Sequence, residues 1–142
     1  MPSVLRISEA ASLGLHSMAL LASNPEGRVS NHRFAEALNA SEHHIAKVLA
    51  RLAKAGLVHS TRGPGGGFVL ARRPEDITLL DVYEAIEGRL EPTLCLLDPP
   101  ICKGDQCILG GLVASVTREF ADYLSKTTLA DLAQRVKLMV SA

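Results

Sequence analysis

Three cysteines fall within thirteen residues, Cys95, Cys102 and Cys107, in the spacing C-x6-C-x4-C, and the chain has no others. Three thiols on one short segment shaped by Pro99 and Pro100 suit a soft metal, because thiolate is the ligand that zinc and iron–sulfur clusters favour. Both normally take four ligands, so a fourth donor must come from elsewhere. Spacing alone leaves three readings open. The segment holds zinc or an iron–sulfur cluster, it switches by thiol oxidation, or its cysteines are small apolar side chains without chemistry. The start, MPSVLRISEA, is interrupted by Arg6 and Glu9 and lacks the apolar stretch of a signal peptide. A cytoplasmic location is therefore expected, where a structural disulfide framework would be kept reduced. No apolar run approaches the roughly 18 residues of a membrane span. No Ser/His/Asp or Cys/His arrangement stands at a defensible spacing, and no histidine follows His59, so an enzyme is not expected.

A second set of residues points to nucleic acid. In residues 41–73, SEHHIAKVLARLAKAGLVHSTRGPGGGFVLARR, Ser41 is a good N-cap, since its hydroxyl can accept an unpaired backbone N–H. Ile45, Val48, Leu49 and Leu52 follow at helical spacing and make one apolar face. His43, Lys47, Arg51 and Lys54 recur on another. Taken alone, such a charge stripe is an ordinary solvated face. Gly56 stops the helix. Leu57 to Thr61 and Phe68 to Arg72 can then alternate as strands around Arg62-Gly-Pro-Gly-Gly-Gly67. That turn is nearly bare of side chains, so its backbone can approach a groove wall closely. Arg62 is the residue type that enters a narrow, electronegative minor groove. A phosphate-binding loop fits poorly, because the glycines do not run into Gly-Lys-Ser/Thr and a helix; a flexible hairpin is the plainer alternative.

Charge distribution supports the nucleic-acid reading. The chain of 142 residues has no net charge, yet residues 28–73 carry eight Lys/Arg and two acids, a surplus of +6 balanced by −6 elsewhere. Four of the five histidines, His32, His43, His44 and His59, share the basic part. A basic face beside an acidic body is the electrostatic footprint of a DNA-binding protein.

The elements that would position these residues are mostly helical. The pattern predicts a first helix over 8–23, a short helix over 31–38 capped by Ser30, and the basic helix after a turn at Asn39 and Ala40. Two short helices joined tightly make a helix-turn-helix, and the glycine hairpin makes its wing. Thr78 caps a helix over 79–87, closed by Gly88. A long helix is expected over 108–126, and Thr128 caps a final amphipathic segment. The apolar stripe of Leu109, Leu112, Val113, Val116, Phe120 and Leu124 is too broad for a solitary surface helix, so a two-fold partner is expected to cover it and present two wings to a palindromic site. The expected fold is mainly α with a small β-wing. Residues 1–88 form a winged helix-turn-helix, 89–107 the cysteine loop, and 108–142 the dimerisation and C-terminal helices. Base-edge reading falls to Glu42, His43, His44 and Lys47, with Ser41 in the same DNA-binding set, phosphate contact to Arg51 and Lys54, and minor-groove contact to Arg62, Gly63, Gly65, Gly66 and Gly67. His43 and His44 make a poor metal pair, since adjacent helical residues diverge by about 100°.

Three pieces together, KVLARLAKAGLVHSTRGPGGGFVLAR, ITLLDVYEAIEG and the three-cysteine loop, carry a resemblance over nearly the whole chain. The chain resembles the Rrf family of bacterial winged-helix regulators, of the IscR/NsrR type. The cysteines mark the cluster-binding branch, because some relatives lack them. The resemblance implies a homodimeric repressor on double-stranded DNA, with an iron–sulfur cluster (2Fe–2S or 4Fe–4S) held by Cys95, Cys102, Cys107 and one non-cysteine ligand. It implies sensing of nitric oxide, redox state or cluster supply. The middle cysteine stands about one residue from its usual place. Regulators of the cluster-biogenesis type use a histidine three residues after the last cysteine, where this chain has Gly110. Nitric-oxide-sensing members have an acidic residue near the start of the first helix that reaches the partner's cluster. Glu9 aligns with it, as glutamate in place of aspartate. Its alternative role is a first-turn acid that complements the helix dipole. Two other functions remain: a regulator of the same fold that binds zinc or switches by thiol oxidation, and a winged helix used for protein contact.

Overall fold

The computed structural model describes residues 7–91, 95–97, 99, 101 and 107–140. Six helices and one hairpin follow in order: α1 (Glu9–Ser23), α2 (Asn31–Leu38), α3 (Glu42–Lys54), β1 (Val58–Thr61), β2 (Gly67–Leu70), a 3-10 turn at Pro74–Asp76, α4 (Leu79–Glu87), α5 (Leu112–Lys126) and α6 (Leu129–Val140). Hydroxyl caps explain most helix starts. Ser8, Ser30 and Ser41 accept the amides of Ala11, Arg33 and His44, which satisfies donors that have no intrahelical partner. Thr78 and Asp81 form a reciprocal capping box at α4. At the end of α3, Gly56 N donates to the Ala53 carbonyl and Leu57 N to the Leu52 carbonyl, both at 3.0 Å. This double bond pattern is a Schellman stop.

Two expectations change. The long helix begins at Leu112 rather than 108, because Gly110 (φ 55°) and Gly111 (φ 84°) adopt left-handed conformations and residues 108–111 form a turn instead. The strands are shorter than expected, since Leu57 is spent on the helix stop and β2 ends at Leu70.

β1 and β2 pair antiparallel, with Val58 opposite Leu70 and Thr61 opposite Gly67. Val29 adds a bridge on the far side of β2: Phe68 N donates to the Val29 carbonyl at 2.8 Å and Val29 N to the Phe68 carbonyl at 3.1 Å. The core gathers Met18, Phe34, Ile45, Leu49, Ile77 and Leu129, all fully buried. α6 packs on α1. Its start is stitched to the segment before α4 by Leu129 N to the Ile77 carbonyl and Leu79 N to the Thr127 carbonyl, both 2.9 Å. The C-terminal helix therefore shares the core of the helix-turn-helix.

α5 behaves differently. Leu124 is its one buried residue among those described, and Phe120 meets the Tyr83 ring edge-on at 5.3 Å. Leu112, Val116 and Tyr123 remain 56%, 41% and 53% exposed. A single copy leaves this face uncovered, which is energetically costly for contiguous apolar surface.

Candidate DNA interface and cysteine loop

α3 presents the expected polar face. Its apolar side, Ile45, Val48, Leu49 and Leu52, is buried, while Ser41, Glu42, His43, Lys47, Arg51 and Lys54 are exposed. His44 is half-buried, with Nδ1 lying 3.6 Å from Glu9 Oε1. Two of the expected contact residues, Glu42 and Arg51, also tie together the protein's own elements. Glu42 Oε1 bonds His32 Nδ1 at 2.6 Å, and Asn31 Nδ2 donates to the Glu42 carbonyl at 2.9 Å, so the starts of α2 and α3 are tied together. Arg51 Nη1 donates to the Ile86 carbonyl at 3.0 Å, joining the recognition helix to the last turn of α4. One guanidinium N–H is thereby spent on the fold, while Lys47 and Lys54 make no such tie among the described residues. Arg73, counted in the basic surplus, sits between Asp76 and Glu75. The Asp76 hydrogen bond and charge, then the Glu75 charge, push its pKa up.

The wing is a built hairpin. Gly66 N donates to the Gly63 carbonyl at 2.8 Å, with Pro64 second and Gly65 (φ 76°) third in the turn. Proline followed by a positive-φ glycine is what a type II turn requires. Thr61 Oγ1 accepts from Gly67 N at 2.9 Å and donates to the Gly67 carbonyl at 3.1 Å, which clamps the base. A Cβ at Gly67 would lie 2.6 Å from the Val29 carbonyl oxygen, so the Val29 bridge needs glycine there. Arg28 Nη1 donates to the Gly65 carbonyl at 3.1 Å. Arg62 stands exposed at the base of the turn. Sequence reasoning missed Arg28 and Val29. A bridge of one residue pair has no periodicity to detect, although Arg28 already lay in the basic stretch.

Of the cysteines, Cys95 and Cys107 are half-buried free thiols, and Cys102 lies outside the described residues. Each described sulfur accepts the amide two residues on: Leu97 N to Cys95 Sγ at 3.4 Å and Leu109 N to Cys107 Sγ at 3.5 Å. Amide bonds to sulfur tune the potential of a bound cluster. Among the described residues no three His, Cys, Asp or Glu side chains gather as a metal site. Glu9, on the first turn of α1, is exposed, with Oε1 3.6 Å from His44 Nδ1. Its neighbour Ser8 donates to Glu87 at the end of α4. No helix among those described is long and apolar enough to cross a membrane.

A basic helix in a helix-turn-helix, followed by an anchored glycine hairpin, defines the winged-helix class of DNA-binding transcription regulators. The model of the family described as "Rrf2: Iron-dependent Transcriptional regulator" matches residues 7–135. This chain belongs to the Rrf2 family and is a DNA-binding transcriptional regulator. It is 35% identical to the HTH-type transcriptional regulator CymR of Bacillus subtilis over 130 residues, covering 91% of this chain and 90% of that protein. The solved structure of B. subtilis CymR, titled the global cysteine regulator, matches at a TM-score of 0.78 with 32% identity, over 93% of this chain and 98% of that one. The structure of T. potens IscR matches at 0.75 with 31% identity, over 98% and 93%. A regulator named BadM of Rhodopseudomonas palustris is 40% identical over 83 residues, and there the chain spans 53% of that protein's length.

Proposed function

We propose that this chain is a homodimeric repressor whose affinity for a palindromic operator is set by an iron–sulfur cluster. Cys95, Cys102 and Cys107 would hold the cluster, with Glu9 of the partner subunit as fourth ligand. The observation that carries the reading is the pair of amide-to-sulfur bonds at Cys95 and Cys107, of the kind that surrounds cluster-ligating sulfurs. A bound cluster supplies an iron centre that nitric oxide or an oxidant can attack, most readily beside an exchangeable carboxylate. The fold supplies the rest. The N-terminus of α1 touches both the root of the cysteine loop, through Ser8 and Glu87, and the recognition helix, through Glu9 and His44. A change in what Glu9 binds bears directly on the first turn of α3. A coupling of about 1–3 kcal/mol changes operator occupancy several-fold or more. The exposed side chains Leu112, Val116 and Tyr123 of α5 offer the apolar face for the two-fold contact.

The test is anaerobic purification with iron and sulfide analysis, visible spectra before and after nitric oxide and air, and titration of a palindromic duplex by both forms. Iron and sulfide with spectra that change on exposure, and a shift in duplex affinity, are expected. Protein free of iron with tight duplex binding would move the conclusion to a thiol-switched or zinc regulator. The likeness to CymR, whose structure is described as that of a global cysteine regulator, favours the thiol-switched form of that second reading. Failure to bind any duplex in a salt-dependent manner would leave a protein-contact role.

Arg62→Ala is expected to weaken operator binding by about 1–3 kcal/mol at fixed salt. The largest loss should fall on sites with a narrow minor groove beneath the wing. Equal affinity of variant and parent by fluorescence anisotropy would mean that the wing tip faces solvent.

A further inference from the structure

A cleft of about 470 Å³ opens between the start of α2 and the base of the wing. Its wall combines apolar Leu20, Val29 and Ala37 with Arg28 and Arg33 and holds no acidic residue. Arg28 and Arg33 are both exposed, and neither has a carboxylate within 4.0 Å among the described residues. Two guanidinium groups facing one cleft repel each other unless an anion lies between them. Arg28 uses one N–H on the Gly65 carbonyl, which leaves four of its five donors for an oxyanion. The Arg33 side chain makes no hydrogen bond among the described residues.

The position of this cleft says which anion it takes. β1 follows α3 and pairs with β2, and Val29 bridges the other edge of β2. The cleft therefore lies on the flank of the wing away from β1. A wing that enters a minor groove, about 6 Å wide, has a phosphate backbone on each side of it. On the inner side the recognition helix is at hand. On the outer side the next phosphates face this cleft.

We propose that Arg28 and Arg33 form a phosphodiester seat on the outer flank of the wing, taking a backbone phosphate on the side of the minor groove remote from α3. Arg28 does two things there. It contacts the phosphate and, through Gly65, holds the turn in place while doing so. The inference rests on DNA binding through the wing, and its test separates the two.

The experiment is duplex binding by the full chain across a salt series, with an operator duplex and an unrelated duplex, for the parent, Arg33→Ala and Arg28→Ala. Arg33→Ala should fold normally by circular dichroism, weaken both duplexes by the same factor, and lower the slope of log K against log salt by about 0.9. Arg28→Ala should lower the slope similarly and also loosen protection of the minor groove from hydroxyl radicals beneath the wing. Slopes unchanged in both variants overturn the seat while DNA binding stands. A parent protein that binds neither duplex overturns the DNA reading itself. Inorganic phosphate is titrated into the free protein as a further arm. Binding of phosphate that Arg33→Ala abolishes, with duplex slopes unchanged, would assign the cleft to a small free anion and overturn the proposal.

Discussion

Cys107→Ala is expected to remove the visible absorption of the anaerobically purified protein and to shift its operator affinity to that of the form freed of iron. Cys107 Sγ accepts the Leu109 amide, and the residue closes the cysteine loop directly before the turn at 108–111 that leads into α5. An alanine there removes one of three thiolates, and iron–sulfur clusters are not retained well by two. The same substitution costs the fold little, because the sulfur is half-buried in a segment away from the core. Loss of colour should thus come without loss of secondary structure, measured on one sample by visible absorption and circular dichroism. Cys102→Ala should behave alike. Identical spectra for the parent and both variants would exclude the cysteine loop as the holder of any chromophore. A colourless parent with intact, salt-dependent operator binding would instead favour a thiol or zinc switch.

Leu129→Ala is expected to lower unfolding stability by about 2–5 kcal/mol, as deletion of a fully buried leucine does. Leu129 is 0% exposed, and its amide is fixed to the Ile77 carbonyl, so the cavity cannot close by a simple shift of the chain. Marginal domains hold about 5–15 kcal/mol in all, so this one change removes a large part. The residue lies far in sequence from α3, yet urea denaturation should show the whole helix-turn-helix unfolding at a lower midpoint with an unchanged slope. A midpoint equal to that of the parent would mean that α6 is not part of the common core.

Local chemistry made much of this fold legible. Ser30, Ser41 and Thr78 announced α2, α3 and α4, because a cap acts within three residues of itself. Gly56 marked the end of α3 for the same reason. The start of α5 was hidden, since the apolar stripe continues through Ile108 and Leu109 while the backbone breaks at Gly110 and Gly111. Long-range partners were out of reach. Arg51 reads as one more cation on a basic stripe, and only the fold brings the Ile86 carbonyl to it. Glu42 reads as a groove contact until His32 is placed beside it. The pairing of Glu9 with His44 joins two residues that the sequence assigned to different tasks, cluster ligation and base reading. The cysteine loop was legible as a set of donors but not as a geometry, because proline-shaped loops follow no period.

The packing of α6 on α1 has a consequence for the order of assembly in the cell. α1 rests against α6, which follows it with four helices and the wing between them. At about 5–20 residues per second, α1 waits on the order of ten seconds for its cover, and α6 must clear the ribosome before that cover can close. The basic helix is therefore complete as sequence well before it is complete as a binding surface. An emerging chain, still tethered beside its own messenger and a crowd of nucleic acid, does not yet carry the finished reader. The contact between α1 and α6 acts as a clasp that delays competence until α6 is free to pack.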